Sequence, residues 1–276
     1  MSKALLGIGT FSETGIPLAE QLALIKGVGF GAFFTGWKHD RTEAIANEAA
    51  RLGLVQQSIH SPFSGEYKVS HLWNGGEDGD FVRNSLMECV RDCARFDIPV
   101  MVIHPFIGFT EHTPTQVGLD NYARIIELAN ELGVKLGFEN VEGEEYLAAI
   151  MERFWNEPSL GFCLDTGHEM CYNRGKDMLA LYGEKLVHTH INDNLGVRGD
   201  DITFYDDLHL LPGDGIADWS NVMRRIRATG YDGILMSELN YSPRSESDLS
   251  YPHYTHLPFE KYLELAYERV RCAVSE

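Results

Sequence analysis

Residues 160–170 read LGFCLDTGHEM, a short apolar run that stops at an acid, a tight Thr-Gly step and a histidine. A buried strand ending at Asp165 and turning at Gly167 presents the Asp165 carboxylate and the His168 imidazole together at its carboxyl end. That pairing suits a metal or acid-base chemistry, although a plain Asx turn after a strand uses the same residue types. What separates the two readings is repetition, because apolar runs ending in Glu, His or Asp recur along the chain.

Working outward, each such run is followed by a helical stretch. Strands are expected at 4–10, 31–37, 54–60, 100–104, 134–140, 160–165, 186–192 and 233–239. Helices are expected near 17–27, 40–52, 79–97, 115–132, 144–155, 175–183, 218–229 and 258–273. The first helix opens on Pro17 and closes on Gly27, as helix termini favour. Short, nearly all-apolar strands alternating with helices imply a parallel sheet covered by helices. Eight units in 276 residues favour closure into a single (β/α)8 TIM barrel spanning 1–276 over an open doubly wound sheet. No GxGxxG or P-loop pattern opens a helix, which removes the usual nucleotide signals.

Composition sets the outer limits. A net charge of −18 repels phosphate backbones, and no basic groove is visible, so nucleic acid is not the expected partner. No apolar run reaches the length of a membrane span, so no membrane partner is expected either. The stretch MSKALLGIGTF makes a poor signal peptide and a good first strand. Five cysteines without a CxxC pair fit reduced thiols. Together these predict a cytoplasmic protein whose partners are small and neutral, or cationic like a metal. Cys89 and Cys93, one helical turn apart, are expected to be helix packing.

In a (β/α)8 barrel the active site forms at the carboxyl ends of the strands. Polar residues fall there on six consecutive strands: His60, His104, Glu139, Asp165 with His168, His188 with His190, and Glu238. The two-residue period places His188 and His190 on the same, axis-facing side of their strand. Glu139, Asp165, His190 and Glu238 come from four adjacent strands and can converge above the barrel. Three carboxylates and one imidazole suit a hard or borderline divalent ion, Mn²⁺ first, with Mg²⁺, Co²⁺ or Zn²⁺ as alternatives. Without a cation, such buried acids would repel one another.

GFEN at Glu139, LDTGH at Asp165 and His168, HTHIND at His188 and His190, HLLPGDGIADW from His209 and SELN at Glu238 together resemble a known group. It is that of the xylose isomerase-like TIM barrels, specifically sugar phosphate isomerases and epimerases related to D-tagatose 3-epimerase. The resemblance implies Glu139, Asp165, His190 and Glu238 as metal ligands, with Glu139 and Glu238 as the proton-transferring pair. It also implies that His168 and His188 contact substrate hydroxyls or support the ligands. The expected activity is isomerisation or epimerisation of a sugar or sugar derivative. One Glu removes a carbon-bound proton, a divalent cation stabilises the enediolate, and the other Glu returns the proton. A wider relative is the endonuclease IV branch, whose ligand pattern adds His60, His104, Asp207 and His209. The alternative reading is therefore a multinuclear metal hydrolase or lyase.

Around the mouth, Trp37, Trp73, Phe106 and Phe109 could pack on the apolar face of a sugar, with loop packing as the competing reading. Histidines 60 and 104 are counted with the substrate-binding candidates. Arg198 is the one nearby cation to offer an anionic substituent, and the lack of a Lys/Arg cluster favours a free sugar over a phosphorylated one. His39, His71, His112, His253 and His256 are expected to be solvated or capping. Residues 241–256 read as a lid or a subunit contact, the latter implying a homo-oligomer.

Overall fold

Eight parallel strands lie side by side in the order β7-β6-β5-β4-β3-β2-β1-β8 in the computed structural model, which describes residues 5–110, 113–245, 247–248 and 250–275. They are β1 (Leu6–Gly9), β2 (Ala32–Gly36), β3 (Val55–His60), β4 (Val100–Ile103), β5 (Lys135–Glu139), β6 (Leu160–Asp165), β7 (Leu186–His190) and β8 (Leu235–Ser237). The ring closes where Ile191, just past β7, bridges to Ser237 in parallel and donates its N–H to the Met236 carbonyl at 2.7 Å. The Thr189 hydroxyl completes the seam by accepting from the Met236 N–H at 3.0 Å. A side chain thus satisfies a backbone donor that the three-residue β8 would otherwise leave bare.

The helices are α1 (Leu18–Val28), α2 (Thr42–Leu52), α3 (Gly76–Arg95), α4 (Gln116–Leu132), α5 (Glu144–Phe154), α6 (Thr166–Met170), α7 (Met178–Tyr182), α8 (Trp219–Ala228) and α9 (Phe259–Ala273). The strand alternation divides the apolar residues into two sets. Outward residues such as Phe33, Met101, Phe138 and Phe162 join the main core under the helices. Inward residues form small separate groups in the lumen, Ala32 with Phe34 and Met236, and Val100 with Val102 and Cys163. Glycines at 7 and 9 make room for them: a Cβ on Gly7 would lie 2.1 Å from the Met236 sulfur, and one on Gly9 would lie 2.7 Å from the Phe34 ring.

The helix expected over 175–183 is present but shorter, as α7, and a further helix precedes it. The chain enters α6 immediately after β6, because the Asp165 carboxylate accepts the His168 N–H at 2.7 Å and caps a helix at once. Left-handed backbone at Arg174 and Gly175 then ends this segment. Asp177 caps α7 by accepting from Ala180. Cys89 and Cys93 are buried within α3, as their spacing predicts. Among the described residues no helix is long and apolar enough to cross a membrane.

Candidate functional site

On each of six strands the inward alternation runs out at a polar residue. Ser58 is followed by His60, Val102 by His104, Gly137 by Glu139, Cys163 by Asp165, His188 by His190, and Met236 by Glu238. The lumen is apolar below and becomes a ring of imidazoles and carboxylates at its rim. Glu139 sits at the centre, fully buried. Its Oε1 is 3.0 Å from His190 Nδ1 and 3.3 Å from His168 Nδ1, and its Oε2 is 3.2 Å from His104 Nε2 and 3.4 Å from His60 Nε2. Glu238 reaches the same His190 Nδ1 at 2.9 Å. Asp165 lies beside them, its Oδ2 accepting from Asn192 at 2.8 Å. Gly167 is required here, since a Cβ on it would come within 1.9 Å of the Asn192 side-chain oxygen.

A second lobe is carried by the long loop after β7. Asp207 Oδ1 lies 2.7 Å from His209 Nε2 and 3.3 Å from His168 Nε2. His209 adopts a left-handed backbone, φ 48°, which a residue with a Cβ holds at some strain. Asp193 anchors this loop from below. Its fully buried carboxylate accepts four N–H groups: Asn194 (2.9 Å) and Ala217 (3.0 Å) on one oxygen, Gly213 (2.8 Å) and the Trp219 indole (3.3 Å) on the other. The PGDGIADW stretch therefore folds around that carboxylate, and a Cβ on Gly215 would lie 2.2 Å from it.

Electrostatics follows from this crowding. Burial alone would raise the Glu139 carboxyl, but His190, His104 and His168 hold it well below the usual carboxylate range. Asp207, equally buried, is held down by His209 and His168. Burial raises Asp165 against the pull of His168 and His209. Against their burial, His168 is driven well above the ordinary imidazole value by Asp165 and Asp207, and His190 by the adjoining Cys163 together with Glu238 and Glu139. His188, one layer deeper, is held well below it by burial and by its neighbour His190.

Donor atoms within 4.8 Å of one another fall into overlapping sets able to hold an ion: His60, His104 and Glu139; Glu139, Asp165, His190 and Glu238; and Asp165, His168 and His209. A further set, Glu139, Cys163 and His190, is less suited, because burial raises the Cys163 thiol to about 12 and keeps it protonated. The fit to a cation has a specific sign. Glu139 Oε2 and Asp207 Oδ1 are buried, lie in ion-pair range of imidazoles and yet complete no well-aligned hydrogen bond, which leaves acceptor capacity that a cation could take. All four predicted ligands, Glu139, Asp165, His190 and Glu238, fall in one set.

A cavity of about 150 Å³ opens above this ring, lined in part by His60, His104, His168, His209, Glu238 and Arg244. Aromatic rings hold the imidazoles in place, Phe63 stacking on His104 at 4.2 Å and Phe34 on His190 at 4.9 Å. Other sequence candidates lie elsewhere. His188 points into the lumen beneath the site, 3.2 Å from the Ser58 hydroxyl. Arg198 pairs with Asp206 and Asp248 and does not line the cavity. Trp73 is buried and bonded to the Pro105 carbonyl, whereas Phe109 reaches the cavity and Trp37 lines a neighbouring one. His39, expected to be solvated, also bonds Asp92 at 2.8 Å. His112 lies outside the described residues.

The cation that sequence reasoning missed is Arg244, which binds the Asp207 carboxylate at 2.5 Å and lies 4.3 Å over the Phe204 ring. It stands in the 241–256 segment read as a lid or contact, and here forms part of the cavity wall. Nothing in the local sequence distinguishes it, because its role depends on a loop returning across the mouth.

The profile of the family described as xylose isomerase-like TIM barrel matches residues 19–253. An uncharacterised protein of Methanocaldococcus jannaschii is 28% identical over 204 residues, covering 67% of this chain and 64% of that protein, so the chain spans just under two thirds of its length. An uncharacterised protein of Sinorhizobium fredii is 32% identical over 245 residues, covering 72% of this chain and 74% of that protein. Among solved structures, a D-tagatose 3-epimerase-like protein superposes with a TM-score of 0.72 at 19% identity, covering 98% of this chain and 97% of the other, a likeness of fold. By the profile match and the 32% identical relative, the chain belongs to the xylose isomerase-like TIM barrel family.

Proposed function

We propose that the chain is a divalent-metal-dependent isomerase or epimerase of a sugar or sugar derivative. The observation that carries this reading is the convergence of Glu139 and Glu238 on one nitrogen, 3.0 and 2.9 Å from His190 Nδ1, with Glu238 lining a small cavity. Glu139, Asp165, His190 and Glu238 would hold the ion, and their oxygen-rich chemistry suits Mn²⁺ first, then Mg²⁺, Co²⁺ or Zn²⁺. When bound, such a cation supplies Lewis-acid polarisation of a carbonyl and stabilises negative charge beside the carbon losing its proton.

The side chains supply the rest. Glu139 is kept ionised by its histidines and is thereby poised to accept a proton. Glu238 stands on a different strand, so a proton removed by one carboxylate can be returned by the other. Return to the same carbon from the opposite face gives an epimer, and return to the neighbouring carbon gives an aldose-ketose isomer. His168, His209 and Arg244 face the cavity and are placed to hold hydroxyls away from the reacting carbon. Family membership and the likeness to a D-tagatose 3-epimerase-like protein support a carbohydrate substrate. Five free thiols fit a cytoplasmic setting.

A second reading has its own support. The three overlapping donor sets, with His60 and His104 on one side and His168, Asp207 and His209 on the other, suit a multinuclear metal hydrolase or lyase. Metal analysis per chain followed by a ketose panel in deuterated water separates the two. One ion per chain with deuterium entering a sugar carbon supports the isomerase. Three ions with water added or eliminated, and no carbon exchange, would replace it.

A further inference from the structure

The donor-lined cavity is not alone at the mouth. A second, of about 730 Å³, lies over β1–β3 and meets the first at His60, Phe63 and Glu238, which line both. The larger space falls within the roughly 300–1,000 Å³ typical of sites that enclose drug-sized ligands, and the smaller one does not. Strand β2 ends at Gly36, where a Cβ would meet nothing within 4 Å, so no side chain fills this side.

Two aromatic faces form the wall. The Trp37 indole is fixed by its N–H bond to Asp92 on α3 at 2.8 Å, and it meets the Tyr67 ring nearly at right angles, 81° at 6.4 Å. Tyr67 is in turn stacked on Phe81 at 5.5 Å. The wall also carries a polar group that calls for a partner: Ser61 is 1% exposed and its hydroxyl has no hydrogen-bond partner. Lys38 is set against the carboxylates of Asp40, Glu66 and Glu238, which does not suit a polyanion. Rigid apolar faces beside an unpaired hydroxyl and hydrogen-bonding carboxylates, without a basic cluster, match a neutral ring that has an apolar face and a rim of hydroxyls.

We propose that this side of the mouth is a subsite for a second pyranose ring, so that the substrate is a disaccharide or glycoside. Its reacting unit lies at Glu139 and Glu238, and its second ring packs on Trp37 and Tyr67 with a hydroxyl bonded to Ser61. The inference rests on the reading of the mouth as a carbohydrate site, but its test is separate from turnover. Glucose, maltose, cellobiose, lactose and sucrose are titrated into the full chain with Mn²⁺ present, by calorimetry and by saturation-transfer NMR. At least one disaccharide binds about tenfold more tightly than glucose, equivalent to about 1.4 kcal/mol. In Trp37→Ala or Tyr67→Ala, whichever retains the parent melting curve, that ratio falls to about one, and in Trp37→Phe most of it survives. Disaccharides binding no better than glucose, or a ratio that survives both alanine variants, would overturn the subsite. Failure of deuterium exchange in every sugar, with the Trp37-dependent ratio intact, would instead overturn the proposed chemistry and leave the subsite standing.

Discussion

The two sides of the barrel mouth are built on opposite plans. From β3 round to β8, every strand ends in an imidazole or carboxylate or is followed at once by one, and these groups crowd around Glu139 and His190. Strands β1 and β2 end in Gly9 and Gly36, and their side opens into the larger cavity. Groups that must act at one atom need to be crowded and fixed, whereas groups that recognise the bulk of a ligand need room. On the proposed reading, chemistry is done on the crowded side and shape is read on the open one.

The sharpest break would come from the crowded side. Glu139→Gln and Glu238→Gln should each lower proton exchange from substrate by about 10²- to 10⁴-fold, the usual contribution of a general acid or base. The measurement is deuterium incorporation by NMR, with metal content determined on the same sample. Full exchange in either variant with metal bound would remove that residue from the proton-transfer pair.

Next in size is the anchor of the second lobe. Asp193→Ala leaves four N–H groups, those of Asn194 and Trp219 buried, without their acceptor. The expected loss is about 3 kcal/mol, or roughly 6–12 °C in melting temperature for a chain of this size. Because Asp207 and His209 ride on the loop that Asp193 holds, any ion bound with His168 should be lost before the one at Glu139. A melt indistinguishable from the parent would show that the loop is held by other contacts.

These residues also mark how far the sequence could be read. Strand-end placement was legible because alternation has a fixed period, so an inward residue at the end of one apolar run predicts the same at the others. Depth was less legible. His188 and His190 share a face as expected, yet one lies a layer below the other and contacts Ser58 in the lumen. Helix α6 was missed although its cap, Asp165, was in plain view, because the same residue was read as a ligand and a turn. Asp207 and His209 entered only through a resemblance, and Arg244 not at all. Long loops carry no periodicity, and which of their residues return to the mouth is decided by tertiary contacts such as the Asp193 cage.

The third prediction concerns pH. In the metal-free chain the raised pKa values of His168, His190 and His209 give stability that is complete below about 6.5, the unfolded value, and is lost as pH rises through the folded ones. The depressed Glu139 and Asp207 give stability that is present above their unfolded values and lost in acid. Metal-free protein should therefore unfold more readily at pH 8.5 than at pH 6. A cation must displace the imidazole protons, so its affinity should rise about tenfold per pH unit for each proton released. Denaturant midpoints at the two pH values, with and without Mn²⁺, check the reversal. The same pH dependence with and without metal would mean that these histidines are not where the ion binds.

The smallest effect lies on the open side, where the His39 imidazole is held above its ordinary value chiefly by its hydrogen bond to Asp92, with further help from Glu88 and Asp40. The sign is the same as for the buried histidines: its contribution is present below about 6.5 and fades as pH rises through the folded value. The magnitude is not, because the imidazole is largely exposed and solvent screens the pair, which limits it to less than about 1 kcal/mol. Asp92 also accepts the Trp37 indole N–H, so the fluorescence of Trp37 reports the pair directly. A small fluorescence step above pH 6.5 should disappear in His39→Ala, while the disaccharide-to-glucose ratio barely changes. Were His39→Ala instead to alter stability and binding as strongly as changes around Glu139, the two sides of the mouth would be coupled, and crowding would not be what separates reaction from recognition.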